Sequence, residues 1–103
     1  LKYNKIFEDD PQNIKSYYGK ILSIDLDTKN IDILSMGHRN SQGLFYDFKE
    51  DIIFSTDHGP QGGDEININS QPGTAKIENY GWPIASYGYH YFETFENRTL
   101  VVN

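Results

Sequence analysis

An alternation of apolar and polar residues runs through residues 20–36. Leu22, Ile24 and Leu26 alternate with a serine and two aspartates, which is the period-two pattern of a half-buried β-strand. The run DTKN has the composition of a turn, and IDILSM after it supplies a returning strand. We therefore predict a β-hairpin over these residues.

The same pattern recurs further along the chain. Residues 43–47 and 52–56, joined by the run FKED, predict a second hairpin, and the alternation at 65–69 predicts one more strand of the same meander. The run QPG then interrupts the pattern, and residues 74–79 are compatible with one helical turn. The polar, proline-containing residues 1–18 predict a loop. The sequence therefore indicates an all-β chain.

Short antiparallel strands joined by glycine-rich loops are typical of a sandwich, a barrel or a propeller blade. Five such strands form only a small open sheet with unpaired edges, and the ring-rich run at 87–92 predicts a surface that needs cover. The chain begins with Leu1 rather than Met, and we expect it to be a piece of a longer protein. If it is stable alone, we expect a homo-oligomer that closes the open sheet edges.

Composition narrows the classes of partner. With 103 residues the chain is one domain or less. Its net charge of -6, with no run of Lys or Arg, argues against a nucleic acid or an anionic membrane, because both require clustered positive charge. The absence of cysteine excludes disulfides, thiol catalysis and Cys-ligated metal sites, and no apolar run is long enough for a membrane span.

Three polar, glycine-rich blocks separate or follow the predicted strands: GHRNSQGL, STDHGPQGGDEININ and NYGWPIASYG. Such blocks are loops in which the backbone can come close to a ligand. In the first block, Arg39 beside Asn40 combines a guanidinium and an amide, which can hold a carboxylate or carbonyl oxygen and stabilise an oxyanion. The alternative is a loop arginine tied to an aspartate or to backbone carbonyls.

The second block pairs a stiff turn with a flexible one. Pro60 lacks an N–H, so the carbonyl groups of Gly59 and Pro60 are available to a hard cation such as calcium, with carboxylates nearby. The spacing is not that of an EF-hand loop. The alternative is a plain wide hairpin loop in which glycine supplies positive φ.

A histidine and a tryptophan in these blocks each have several interpretations. His58 is a general base, a metal ligand or a hydrogen-bonded loop residue, and the last is commonest for a single histidine. Trp82, in the run YGWP, either stacks on a sugar or a planar cofactor or seals the edge of a core.

The blocks GHRNSQGL, HGPQGGDEIN and YGWP, in this order, resemble the pyrroloquinoline-quinone (PQQ)-dependent soluble sugar dehydrogenases, the glucose/sorbosone dehydrogenase family, and particularly its aldose sugar dehydrogenase branch. The resemblance covers residues 17–91. It implies an antiparallel β-propeller with four-stranded blades, of which this chain supplies about two of six. It divides a single partial domain, 1–103, into a loop-rich lead-in at 1–18, the end of one blade at 19–36, the next blade with cofactor loops at 37–91, and a tail at 92–103.

The resemblance also implies a reaction. Aldoses are oxidised at the anomeric carbon by hydride transfer to PQQ with calcium assistance, in the periplasm or outside the cell. Arg39 and Asn40 are expected to face the quinone oxygens in a supporting catalytic role, with His58 also at the cofactor.

The same resemblance assigns the metal site. Backbone carbonyls of Gly59 and Pro60 are expected to ligate calcium, which acts as a Lewis acid. Asp64 is expected to line the pocket with His58 and to hold the loop or the surroundings of the cofactor.

The chain departs from the family pattern in two ways. Asp57 stands where glutamate is expected, and Ser41 stands where proline is expected. The family's catalytic base lies upstream of the first block and its cationic residues for the quinone carboxylates lie downstream of the third, so neither His38 nor His58 is assigned as the base. We expect the isolated chain to be inactive. The alternatives are a non-catalytic propeller-type binding module and a small carbohydrate-binding β-domain resting on Trp82.

Overall fold

The computed structural model describes residues 9–74 and 76–85, and every structural statement concerns those residues. They form two three-stranded sheets and a single turn of 3-10 helix at Asp10–Gln12. The strands are β1 (Ile21–Ile24), β2 (Ile31–Met36), β3 (Ser41–Asp47), β4 (Ile52–Asp57), β5 (Glu65–Asn69) and β6 (Glu78–Asn79). The all-β class is confirmed and the arrangement is consistent with part of a propeller. The number of blades and their boundaries stay predictions.

The first sheet is built on the predicted hairpin. Strands β1 and β2 pair antiparallel, with Ile24 opposite Ile31 at the turn. Asp25 organises that turn, because its Oδ1 accepts the backbone N–H groups of Asp27 and Thr28 at 2.9 and 3.0 Å. The local turn chemistry therefore fixes the register of the hairpin.

The third strand of this sheet was not predicted. Strand β6 pairs parallel with β2, with Ser35 opposite Glu78 and Met36 opposite Asn79. The sequence of residues 74–79 is compatible with a helical turn, but residues 78 and 79 form a strand instead, because the edge of β2 offers backbone partners that a local pattern does not reveal. The pairing brings the third polar block beside the first, and Trp82 N donates to Gly37 O at 2.9 Å.

The second sheet is the predicted meander β3-β4-β5, antiparallel throughout. Phe45, Phe54 and Ile68 form one row across it. The turn between β3 and β4 is closed by Asp47, whose Oδ1 accepts the backbone N–H of Lys49 at 3.0 Å. The strands at 43–47, 52–56 and 65–69 are thus confirmed to within one or two residues.

The two faces of this second sheet differ in polarity. The buried positions of β4 and β5 include Ser55, Asn67 and Asn69, whereas Ile66 and Ile68 on the opposite face are exposed. Among the described residues, Ile53 and Ala85 are the buried hydrophobic side chains. The interior beside this sheet is therefore held largely by hydrogen bonds, such as that from Asn69 Nδ2 to Leu34 O at 3.3 Å.

The described residues contain no helix of the length and apolar character that a membrane span requires.

Replacement of Gly37 by alanine tests the junction of the first and third blocks. Gly37 and Gly73 both have φ of +76°, so alanine at either position meets the same left-handed strain of about 1–2 kcal/mol. At Gly37 the added Cβ would also press on Asn79 Oδ1 and lie 2.5 Å from Gly81 N, whereas at Gly73 nothing lies within 4 Å. We expect Gly37→Ala to lower the free energy of unfolding by about 1 kcal/mol or more beyond Gly73→Ala.

The measurement is urea unfolding of the full chain, followed by circular dichroism and by the fluorescence of Trp82. Equal midpoints for the two variants would show that β6 and the segment after it do not press on Gly37.

Candidate functional site

The loops that follow β2 and β4 lie side by side. Ser41 at the start of β3 pairs with Asp57 at the end of β4, which brings the two loops to the same edge. His58 N donates to Asn40 O at 3.0 Å, and Arg39 Nη1 donates to His58 O at 3.1 Å. Two of the three polar blocks therefore meet through direct hydrogen bonds.

The third block completes a cleft over this junction. The cleft is narrow and partly open to solvent, with a volume of about 10 Å³, roughly that of one water-sized sphere. Its lining comes from all three blocks: Arg39 from the first, Trp82 from the third, and Asp57, Gly63, Glu65 and residues 58–60 from the second. The structure thus brings Arg39 together with Gly59 and Pro60.

The guanidinium of Arg39 has a defined place in the cleft. Its Cζ lies 5.5 Å from the ring centroid of the half-buried Trp82, within the range of a cation–π contact. The hydrogen bond to His58 O fixes it from the other side. The group is therefore oriented before any ligand arrives, which is the condition for strong electrostatic binding.

The loop at 59–64 is shaped by a glycine and a carboxylate. A Cβ at Gly59 would lie 2.6 and 2.7 Å from the backbone C and O of Gly63, so only glycine fits there. Asp64 Oδ1 accepts the backbone N–H of Gly59 at 2.8 Å. Asp64 therefore holds the loop that carries Gly59 and Pro60, but it is not among the residues that line the cleft.

Two other predicted site residues, Asn40 and His58, are more exposed than Arg39. The side chain of Asn40 is exposed, and its Oδ1 accepts Gln42 Nε2 at 2.9 Å outside the cleft. His58 lines the cleft and is exposed. Within 9–74 and 76–85 no three His, Asp or Glu residues come together as a metal site.

A chain of buried polar side chains extends from Asp57, in the lining of the cleft, into the interior, and sequence reasoning missed it. Ser35, His38 and Asp57 are 1%, 2% and 6% exposed. Ser35 Oγ and His38 Nε2 are 2.7 Å apart, and His38 Nδ1 and Asp57 Oδ2 are 3.3 Å apart. The available signal was positional, since Ser35 follows the apolar run Ile33-Leu34 of β2 and Asp57 continues the inward alternation of Ile53 and Ser55 in β4.

Asp57 is the centre of this chain. Its Oδ1 accepts Ser41 Oγ at 2.7 Å, and its Oδ2 accepts the backbone N–H of Arg39 at 3.3 Å. Burial by itself raises the pKa of Asp57. The hydrogen bonds from His38, Ser41 and Arg39, with the charge of His38, outweigh burial and hold the pKa below its ordinary value of 3.8.

Glu65 lies opposite Asp57 on the neighbouring strand, and its pKa is shifted in the opposite direction. Burial, and then the charge of Asp57, raise the pKa of Glu65, while the hydrogen bond from Asn67 and the charge of His38 oppose the shift. Two carboxylates that face each other across strands repel. The cleft therefore combines one carboxylate that is stabilised by its donors with one whose ionisation is unfavourable.

Removal of the Asp57 charge should destabilise the fold above pH 4. A folded-state pKa below the unfolded value means that ionisation adds stability, which is present above the unfolded pKa and is lost as pH falls through the folded one. We expect Asp57→Asn to lower the free energy of unfolding by about 1.5–3 kcal/mol at pH 7. The difference in the free energy of unfolding between variant and wild type should become smaller below a pH of about 4. Urea unfolding at a series of pH values measures it. The matched control is Asp32→Asn, on an exposed residue of β2; a pH-independent difference would contradict the assignment.

The same measurement should give the opposite sign at Glu65. Its raised pKa means that ionisation costs stability near neutral pH and that the cost disappears as pH falls through the folded pKa. We therefore expect Glu65→Gln to raise the free energy of unfolding at pH 7 and to match the wild type in acid. Glu50→Gln, in the exposed β3–β4 turn, is the control. A loss of stability at pH 7 would show that Glu65 is held by favourable contacts instead.

Comparison with known proteins connects this site to a family. The profile of the Glucose / Sorbosone dehydrogenase family matches residues 3–99. The chain is 39% identical over 93 residues to the uncharacterized protein slr1608 of Synechocystis sp., covering 78% of this chain and 21% of that protein. It is 43% identical over 60 residues to the aldose sugar dehydrogenase YliI of Escherichia coli, covering 58% and 15%.

A third relative is described as a quinoprotein. The chain is 35% identical over 92 residues to the quinoprotein glucose dehydrogenase B of Acinetobacter calcoaceticus, covering 74% of this chain and 18% of that protein. It thus spans between 15% and 21% of the length of these relatives. No solved structure gives a significant match. The chain belongs to the glucose/sorbosone dehydrogenase family, whose members include quinoprotein and aldose sugar dehydrogenases.

Proposed function

We propose that this chain supplies part of the PQQ and calcium site of an enzyme that oxidises aldoses at the anomeric carbon. One observation carries the proposal: the guanidinium of Arg39 and the loop residues Gly59 and Pro60 line a single cleft beside the face of Trp82. Family membership supports the sugar dehydrogenase class.

The donor groups of the cleft fit these two ligands. PQQ is a planar, anionic quinone, and a guanidinium with several fixed N–H donors suits its oxygens. Calcium binds oxygen ligands, including backbone carbonyls, and those of Gly59 and Pro60 are the proposed donors. Asp57 and Glu65 add negative charge to the same cleft, which favours a cation there.

When bound, the quinone supplies an acceptor for two electrons and the calcium ion supplies Lewis acidity. Arg39 donates hydrogen bonds to an oxygen in the cleft and stabilises negative charge that develops on it. Its own hydrogen bond to His58 O and its contact with Trp82 keep it oriented. Asp64 keeps the main chain of Gly59 in place by accepting its N–H.

The rest of the machinery is proposed to lie in other parts of the full-length protein. The base that removes the hydroxyl proton of the sugar and the cations that bind the quinone carboxylates are not assigned to this chain, so the isolated chain is proposed to lack turnover. An aldose substrate, a periplasmic or secreted location, and an oligomer that closes open sheet edges when the chain is alone all belong to the proposal.

Arg39 gives the decisive test. In the full-length protein that carries these residues, reconstituted with PQQ and calcium, we expect Arg39→Ala to lower kcat/KM for aldose-dependent dye reduction by about 10²-fold. Arg39→Lys should not restore it, because an ammonium lacks the planar fork of the guanidinium.

Lys49→Ala, which removes an exposed cation from the β3–β4 turn, is the matched control and should leave kcat/KM unchanged. Wild-type rates in Arg39→Ala would remove the proposed role of Arg39, and absence of aldose-dependent dye reduction in the reconstituted wild type would remove the enzyme proposal. Saturable sugar binding without PQQ, abolished by Trp82→Ala, would instead identify a carbohydrate-binding domain.

A further inference from the structure

The proposed function gives no role to the buried side chains of Ser35 and His38, and only an electrostatic role to Asp57, which lines the cleft. Ser35, His38 and Asp57 are among the most buried residues that the structure describes. Buried polar groups persist where each finds a partner, because a lost hydrogen bond in the interior costs the full desolvation of the group. Their partners therefore show what they hold in place.

The ring of His38 joins separate parts of the chain. It contacts Ser35 on β2 through Nε2 and Asp57 on β4 through Nδ1. Its centroid lies 5.0 Å from that of Tyr80, in the third block. Its own backbone N–H donates to Gly19 O at 3.1 Å, ahead of β1. One imidazole thus contacts both sheets and the segment that carries Trp82.

Proton accounting fixes the direction of the hydrogen bond to Asp57. An ionised Asp57 only accepts, so the hydrogen bond at 3.3 Å requires a proton on His38 Nδ1. Ser35 Oγ lies 2.7 Å from Nε2; it donates to that nitrogen when the ring is neutral and accepts from it when the ring is protonated, so it holds the ring in either state. The chain links the Ser35 hydroxyl through the imidazole to the carboxylate.

The same order of residues, Ser-His-Asp, occurs in hydrolytic triads, where the serine oxygen attacks a substrate. That role requires an oxygen that a substrate can reach. Ser35 is 1% exposed, so a substrate cannot reach its Oγ in this structure. The geometry therefore serves position and not nucleophilic attack.

Asp57 links the His38 ring to the backbone of Arg39. The oxygen Oδ2 that faces His38 Nδ1 also accepts the backbone N–H of Arg39, and Oδ1 holds Ser41. The residues on both sides of Asn40, one through its backbone N–H and one through its hydroxyl, are thereby anchored to one carboxylate. From that anchored backbone the guanidinium reaches His58 O and the face of Trp82.

We propose that His38 is a positioning residue: protonated on Nδ1 and held by Ser35, it orients the Asp57 carboxylate, which sets the backbone of Arg39 and so the direction of its guanidinium in the cleft. The inference rests on the proposed function only for what the guanidinium binds. Its structural part concerns residues of this chain alone.

The first test is nitrogen NMR of the full chain at neutral pH without ligands. Long-range proton–nitrogen spectra should show His38 protonated on Nδ1, and the Arg39 Nε–H signal should be sharp because the side chain is fixed. A His38 ring without a proton on Nδ1 would overturn the proposal.

Two variants separate positioning from simple packing. Asparagine places its amide nitrogen near the position of Nδ1, whereas glutamine places it near Nε2. His38→Asn should therefore keep the hydrogen bond to Asp57 and a sharp Arg39 signal, and His38→Gln should broaden that signal. If both variants fail to fold, the wild-type spectrum still decides.

The functional arm uses the full-length protein with calcium and follows PQQ binding by quenching of protein fluorescence. We expect His38→Gln to raise the Kd for PQQ about tenfold and His38→Asn to recover most of the wild-type affinity. Equal Kd values and equal Arg39 spectra for the two variants would overturn the positioning role. Absence of PQQ binding in the wild type would instead remove the proposed function, and the Arg39 signals would then decide the positioning role.

Discussion

The buried carboxylate of Asp57 is the interaction on which the rest of the site depends. Burial of a charge is unfavourable, and it is tolerated here because both oxygens accept hydrogen bonds, from the His38 ring, the Ser41 hydroxyl and the Arg39 backbone. A hydrogen bond to a charged group contributes about 1.5–3 kcal/mol, so these donors together outweigh the desolvation. The loop after β2 and the end of β4 are consequently held at one point.

This anchoring explains how the loops around the cleft keep their shape with little apolar burial beside them. The buried face of β4 and β5 is rich in Ser and Asn, and its apolar counterpart, with Ile66 and Ile68, lies on the exposed face. Apolar burial among the described residues is therefore small, and directional hydrogen bonds carry the geometry instead. Directional bonds specify angles as well as distances, which suits a site that must aim a guanidinium. An apolar sheet face normally packs against another layer of structure. The two faces of this sheet therefore differ: the polar face is buried beside the site, and the apolar face is exposed in the described residues.

Whether a feature could be predicted from the sequence depends on how far apart along the chain its interacting residues lie. The hairpins around Asp25 and Asp47 were predicted because alternation and turn chemistry are local, and both aspartates cap their turns as such residues do. The pairing of β6 with β2 joins positions more than 40 residues apart and leaves no local pattern. For the same reason the link between His38 and Asp57, 19 positions apart, was missed although both residues stand in the recognised blocks.

The roles expected of residues in the three polar blocks depended on the family resemblance. The structure adds that residues from all three blocks lie in one place. Arg39, Gly59, Pro60 and Trp82 come from three blocks and line one cleft. Asn40 is different: its side chain is exposed, and the structure shows it accepting a hydrogen bond from Gln42. A sequence motif gives the residues that occur together, whereas the fold decides which of their side chains share a space.

The opposed carboxylates show why a cation suits this cleft. Asp57 is held ionised by its donors, so its charge is present when Glu65 on the neighbouring strand titrates, and it raises the pKa of Glu65 in addition to the effect of burial. The fold therefore maintains a like-charge pair beside the main chain of Gly59 and Pro60. A cation bound by those carbonyls would reduce the repulsion between the two carboxylates. Binding at the proposed calcium site and relief of this electrostatic cost are then the same event, and the affinity of the loop gains from charges that are not themselves assigned as ligands.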